Sequence, residues 1–179
     1  MAKREIEIVN IVVSSSLETK IPLEKMAASL PNTEYNPEQF PGLVLRIKEP
    51  RTSALIFNSG KIVCTGARSI EMVEESIQRI IENLKKINIH IKIKPKIEVQ
   101  NIVASGNIGM HLNLNTLAIK LRNTEYEPEQ FPGLVYKLKG TNATFLLFTN
   151  GKIVCTGTRN REEVEKAVDM LIENLKSVS

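Results

Sequence analysis

The sequence predicts an α+β fold in which one strand-rich unit is written twice, its strands forming an antiparallel sheet with helices over one face. Three observations carry this. Blocks of the chain return at one offset, 91 residues: EYNPEQFPGLV at Glu34–Val44 as EYEPEQFPGLV at Glu125–Val135, GKIVCTG at Gly60–Gly66 as GKIVCTG at Gly151–Gly157, and ENLK at Glu82–Lys85 as ENLK at Glu173–Lys176. Over Asn10–Lys86 against Asn101–Ser177, 38 of 77 positions are identical and no gap is needed. Each copy sets short apolar runs between Gly and Pro turns and closes on a run of helical period. Two copies are too few for a solenoid, so the economical geometry is a pseudo-twofold pair, divided as residues 1–91 and 92–179.

The elements follow in order. Ile6–Ser14 and Ile97–Ser105 open the two copies as strands rich in Ile and Val. Leu23–Leu30, after Pro22, has the character of a first helix. Phe40-Pro41-Gly42 and Phe131-Pro132-Gly133 punctuate the chain before strands at Leu43–Lys48 and Leu134–Lys139. Asn58-Ser59-Gly60 and Thr149-Asn150-Gly151 have hairpin composition and separate Ala54–Phe57 from Lys61–Thr65 and Phe145–Phe148 from Lys152–Thr156. From Ser69 to Lys86, Ile70, Val73, Ile77, Ile81 and Leu84 recur at helical spacing, with Glu71, Glu74, Glu75 and Arg79 between them. The matching helix starts with Asn160 as a cap and Glu163 three residues later, a box-like pattern. The connecting segment Ile87–Lys96 alternates Ile with Asn, His and Lys and is expected to be extended.

Composition narrows the function. Apolar residues at 42% and charged residues at 25% make a globular chain, and 24 Lys and Arg against 20 Asp and Glu leave a net charge of +4. That balance is compatible with a polyanionic partner without demanding one. Cys64 and Cys155 stand apart, with no CxxC pair, which excludes a disulfide scaffold and a structural zinc site; they are expected as small buried hydrophobes. The N-terminus reaches charges at once, and no run of eighteen uncharged apolar residues exists, so neither a leader nor a membrane span is expected and the compartment is a reducing, cytoplasmic one. No catalytic constellation is present. Ser59-Gly60-Lys61 lacks the spacing of a P-loop, His90 and His111 are isolated, and Glu127 and Glu129 flank a proline without a His or metal-ligand partner. Neither enzyme activity nor a cofactor or metal is expected.

The strand pattern is less ordinary. A sheet covered on one side should turn polar residues outward. Here, if the long helices cover one face, the other displays Asn10, Val12, Leu55, Phe57, Val63 and Thr65, and in the second copy Asn101, Val103, Leu146, Phe148, Val154 and Thr156. The six pairs are identical. A large apolar surface with a few polar residues marks an interaction site or a second buried core. Phe40 and Phe131, beside Pro-Gly turns, join Phe57 and Phe148 as duplicated aromatics suited to insertion into something stacked.

The repeated EYxPEQFPGLV, the ALIFNSGKIVCTG hairpin and the opening NIVVS and NIVAS strands resemble the TATA-box-binding protein family, in its archaeal bare-core form. The resemblance runs from about Ile6 to Lys176. It implies a saddle, a curved ten-stranded antiparallel sheet with helices on the convex face and DNA beneath, nucleoid-associated in the cytoplasm. The family is itself a standard example of minor-groove binding by wedge insertion, so the bend is an implication of the resemblance alone. It further implies that Phe40 with Phe57, and Phe131 with Phe148, are the wedge pairs, and that Asn10 and Asn101, assisted by Thr65 and Thr156, hydrogen-bond groove acceptors. Val12, Leu55, Val63, Val103, Leu146 and Val154 would lie on the groove floor. Arg46, Lys61, Lys137 and Lys152 would meet phosphates at the rim. Glu127 and Glu129 resemble the docking loop for transcription factor B, which leads to RNA polymerase in the preinitiation complex. A weak homodimer is expected when DNA is absent. One departure is Lys139-Gly140-Thr141-Asn142, which lacks the proline of Lys48-Glu49-Pro50-Arg51 and leaves that loop's shape open. Two other classes remain: a related saddle used as an accessory nucleic-acid-binding module, and a protein whose apolar sheet holds a lipid or other small ligand.

Overall fold

A computed structural model describes residues 5–178. Residues 1–4, on which the expectation about a leader rests, and residue 179 lie outside the described residues. Strands β1 (Glu5–Ser16), β2 (Thr33–Tyr35), β3 (Leu43–Ile47), β4 (Thr52–Ile56) and β5 (Lys61–Ala67) are joined by helix α1 (Leu23–Ser29) and followed by α2 (Ile70–Lys86). The pattern then returns as β6 (Glu98–Asn107), α3 (Leu114–Lys120), β7 (Thr124–Glu125), β8 (Leu134–Lys137), β9 (Thr144–Leu147), β10 (Lys152–Thr158) and α4 (Arg161–Ser177). The ten strands hydrogen-bond in the order β2-β3-β4-β5-β1-β6-β10-β9-β8-β7. Residues 10–100 form one compact unit, and residues 5–9 with 101–178 form the other.

In the unit of residues 10–100, β2, β3, β4, β5 and the later part of β1 are antiparallel neighbours. Inward residues Leu43, Leu45, Ala54, Ile56 and Ile62 meet Leu17, Ile21, Leu23 and Met26, with Ile80 and Leu84 from α2. Ser69 caps α2 by accepting the Met72 N–H at 3.2 Å, and Lys85 and Lys86 in the last turn suit the helix dipole. The helical spacing holds with one change. Ile80 is fully buried, Ile81 is half-buried and Ile70 is exposed, because a seventeen-residue helix at 3.6 residues per turn carries its apolar stripe past the positions that simple counting selects.

The other unit repeats the scheme with different packing. Phe145, Leu134, Leu147 and Ile153 are buried beneath α4, which turns Val164, Ala167, Val168, Leu171 and Leu175 inward. Asn160 caps α4 by accepting the Glu163 N–H at 2.8 Å. The return bond of the box runs from Arg159 N–H to Glu163 Oε2 at 2.9 Å, one residue outside the cap. The loop that lacks proline also differs: Glu49–Pro50 is a cis peptide, whereas Gly140 turns its loop at φ 84°. Residues 87–97 form no strand; they open on a turn in which Asn88 takes φ 65°. The short strands β2 and β7 have no counterpart among the predicted elements. Among the described residues, no helix is long and apolar enough to cross a membrane.

Candidate nucleic-acid interface

In each unit the strand pleat divides the side chains as the alternation predicts. Ala54, Ile56, Ile62 and Cys64 are at most 1% exposed, whereas Val12, Leu55, Phe57, Val63 and Thr65 are half-buried. The second copy does the same with Val103, Leu146, Phe148, Val154 and Thr156. Register places the outward residues in rows. Val44, Leu55, Val63 and Ser14 lie opposite one another across β3, β4, β5 and β1, and Val135, Leu146, Val154 and Ser105 do so across β8, β9, β10 and β6. Val44 and Val135 therefore join the face, beyond the six pairs expected from the sequence. Their signal is the alternation of Leu43-Val44-Leu45-Arg46, which puts Val44 and Arg46 on the same side.

The next rows carry the polar group. Arg46 faces Ser53, which faces Thr65; Lys137 faces Thr144, which faces Thr156. Asn10 Nδ2 donates to Thr65 Oγ1 at 3.1 Å, and Asn101 Nδ2 to Thr156 Oγ1 at 2.9 Å. Both amides are oriented from the other end: Gly66 N–H donates to Asn10 Oδ1 at 2.7 Å and Gly157 N–H to Asn101 Oδ1 at 2.7 Å. A β-bulge arranges this. Between Ile11 and Val13 the partner strand advances from Ala67 to Cys64, one residue too many, and β10 repeats the slip against β6. The extra residue takes φ 99° at Gly66 and 92° at Gly157, which glycine adopts without a Cβ clash. With Oδ1 occupied and one Nδ2 hydrogen spent on threonine, each Asn–Thr pair has a second amide hydrogen left to donate, while the Thr65 hydroxyl itself donates to Asn10 Oδ1 at 3.3 Å.

At the end of each β4 or β9 strand the aromatics pair. Phe40 and Phe57 meet edge to face with centroids 5.9 Å apart at 65°, and Phe131 and Phe148 at 6.0 Å and 71°. Phe40 and Phe131 are each 42% exposed, large apolar groups held in water. Glycine makes room for them. A Cβ on Gly42 would stand 2.7 Å from Phe40 Cε2 and 3.0 Å from Phe57 Cε1, and Gly133 repeats both distances with Phe131 and Phe148. On sequence alone these glycines read as turn residues only, because the contact joins Phe side chains far apart along the chain.

Lys61, Lys137, Lys152 and Arg46 are exposed at the margins, and Arg46 reaches Glu34 at 3.4 Å in an exposed pair of small energetic weight. Glu127 and Glu129 are exposed in the turn before β8; the Glu127 carbonyl accepts the Phe131 N–H at 3.0 Å, so the acidic turn and the Phe131 backbone are one structure. Cys64 and Cys155 lie on the helix side, fully buried as expected. Burial pushes both thiols up, Cys155 to about 11, so neither is a reactive thiolate at neutral pH. Among the described residues no cluster of His, Cys, Asp and Glu could hold a metal ion.

Comparison with known proteins agrees with this geometry. Residues 5–87 and 96–178 each match the family described as "Transcription factor TFIID (or TATA-binding protein, TBP)". The chain is 48% identical over 178 residues to the TATA-box-binding protein of Haloarcula marismortui, covering 98% of this chain and 96% of the relative. It is 46% identical over 180 residues to that of Archaeoglobus fulgidus, covering 99% and 98%. The solved structure "Methanococcus jannaschii TBP" superposes with a TM-score of 0.90 at 46% identity, over 97% of this chain and 99% of that one.

Proposed function

Because the chain belongs to the TATA-binding protein family, a family of DNA-binding transcription factors and not of enzymes, we propose that it is a general transcription factor that lays its two open sheet faces into the minor groove of A·T-rich promoter DNA and bends it. The observation that carries this is the duplicated apolar face holding one outward-donating Asn–Thr pair per copy. A·T pairs offer only acceptors in the minor groove, adenine N3 and thymine O2, so a donor pair set in apolar surroundings fits them. A G·C pair adds the guanine amino group, a further donor, which would face the Val and Leu side chains unpaired. Phe40 with Phe57 and Phe131 with Phe148 are the wedges, each presenting an exposed ring at one end of its face. Arg46, Lys61, Lys137 and Lys152 meet backbone phosphates, which position the duplex without reading it.

Glu127 and Glu129 form the docking turn for transcription factor B, through which RNA polymerase is recruited. Glu127→Asn, which copies Asn36 of the other repeat, is expected to weaken the ternary complex and leave binary DNA binding intact.

The test is gel mobility shift on A·T-rich against G·C-rich duplex, with donor–acceptor fluorescence across the A·T duplex to read the bend. Tight binding and bending of the A·T duplex alone are expected, and Phe57→Ala/Phe148→Ala should lose bend and affinity together. Equal affinity for both duplexes refutes the reading.

A further inference from the structure

Within the unit of residues 10–100, an open groove of about 840 Å³ runs beside the end of β1. It is lined by Ser14, Lys61, Lys94, Lys96 and Gln100 among others. Ser14 stands opposite Val63, so the groove opens onto the face that the proposed function gives to DNA. Its parts are held in place. Ser15 Oγ donates to the Lys96 carbonyl at 2.6 Å, fixing that backbone, and Gln100 Nε2 donates to Ser14 Oγ at 2.8 Å. The Ser14 hydroxyl hydrogen and the second Gln100 amide hydrogen are left to give. Glu18 and Glu98 also line the groove, so three lysines stand against two carboxylates.

The second copy offers a direct contrast. At the repeat offset, Gly106 replaces Ser15, Glu5 replaces Lys96 and Val9 replaces Gln100. The equivalence is structural as well: Ser15 touches the Lys96 carbonyl, and a side chain on Gly106 would meet the Glu5 carbonyl. Lys61 and Lys94 are matched by Lys152 and Lys3, so the contrast lies at two positions, a cation and an amide in one copy against a carboxylate and an apolar side chain in the other. We propose that the groove of residues 14–100 holds a backbone phosphate of the bound duplex at Lys96, and that the other copy, where Glu5 stands at that position, holds none there. This rests on the minor-groove reading of the open face. It gives two otherwise equivalent faces unequal electrostatic hold on the DNA backbone.

The experiment measures dissociation constants on one A·T-rich duplex across a salt series. Lys94→Gln/Lys96→Gln should lower the slope of log affinity against log salt by about one, for the one phosphate that is no longer neutralised. Its ratio of A·T to G·C affinity should stay that of the parent, because phosphate contacts carry no sequence information. Lys94→Arg/Lys96→Arg should keep the parent slope, which separates loss of charge from misfolding. Glu5→Lys should raise the slope by about one. An unchanged slope in the Gln variant overturns the proposal, with the A·T preference and bend of the parent still standing. Competition by inorganic phosphate beyond that of chloride at equal ionic strength also overturns it, marking a free-anion site. A parent protein with no A·T preference overturns the minor-groove reading and the groove with it.

Discussion

Gly42 and Gly133 set the pose of the two Phe pairs, and replacing them with Ala tests whether that pose is used. Neither glycine has positive φ, so the backbone accepts Ala and only the new methyl group matters. At Gly133 it would lie 2.7 Å from Phe131 Cε2, 3.0 Å from Phe148 Cε1 and 3.2 Å from Phe148 Cζ. Carbon atoms settle at roughly 3.5–4.0 Å, so the Phe131 ring must retreat by about 1 Å. Phe131 is partly in water and can swing outward, so the loss of fold stability should fall at or below the low end of the ~1–3 kcal/mol typical of overpacking. The edge-to-face pair is broken, which removes about 0.5–1.5 kcal/mol of the energy holding the rings in one orientation. If DNA needs that orientation, each substitution weakens A·T binding by about two- to tenfold, and the double variant by up to about a hundredfold. Fluorescence bend measurements and thermal unfolding on the same samples are the assay. A Gly42→Ala/Gly133→Ala protein that binds and bends like the parent would falsify the preset-wedge argument.

Three further outcomes follow from the same structure. Asn101→Asp keeps an oxygen for the Gly157 N–H but removes the amide donors, so mobility-shift affinity for A·T duplex should fall at least about tenfold, the value of one desolvated hydrogen bond, while the unfolding midpoint barely moves; undiminished binding would show that Asn101 reads no base. Ser76 Oγ donates to the Met72 carbonyl and shares a 2.7 Å buried bond with Thr52, where the other repeat has Ala143 and Ala167. Ser76→Ala alone should cost about 1–3 kcal/mol in urea unfolding, and Thr52→Ala/Ser76→Ala less than the sum of the singles; strict additivity refutes the coupling. Because the folded Cys155 thiol is raised to about 11, the unfolded chain loses that proton first as pH rises. The stability that this thiol contributes is therefore complete below about pH 9 and falls between about 9 and 11. Cys155→Ala should flatten that part of the urea-midpoint profile, and an unaltered profile counts against it.

The repeat, the long helices and the two-faced sheet were legible because each is a local pattern: an offset, a 3.6-residue period, an alternation of two. The Asn–Thr–Gly arrangement was only half legible. Asn10 and Thr65 could be assigned to one face by alternation, but the bulge that brings the Gly66 N–H onto Asn10 is a slip between two strands and leaves no mark on either one alone. The same holds for Gly42, whose meaning depends on Phe57 arriving from another strand. The strands β2 and β7, of three and two residues, are too short to express any period. Lys94 and Lys96 read as linker charges until the Ser15 contact with the Lys96 carbonyl joined them to β1.

The two copies have diverged unequally across the thickness of the sheet. On the helix side, Leu45 and Ala54 face each other across β3 and β4, where the other copy has Tyr136 and Phe145. Val13, Thr52, Ser76 and Ile77 stand where it has Ala104, Ala143, Ala167 and Val168. Two large gains are thus matched by four small losses, the volume-conserving exchange that a core tolerates because every partner lies within the same chain and can change with it. On the open side, Asn10, Val12, Ser14, Val44, Leu55, Phe57, Val63 and Thr65 are each identical to their mates, although nothing inside the chain would forbid similar exchanges on a half-exposed face. A face used only for self-association could drift in complementary pairs, as the core has done. The outward row of Arg46 and Ser53 differs from Lys137 and Thr144 by conservative exchanges alone. Near-identity on one side and drift on the other is what a partner outside the chain imposes when it presents the same surface to both copies and cannot change in compensation. The floor of an A·T-rich minor groove is such a partner, since A·T and T·A pairs offer the same acceptors in either orientation.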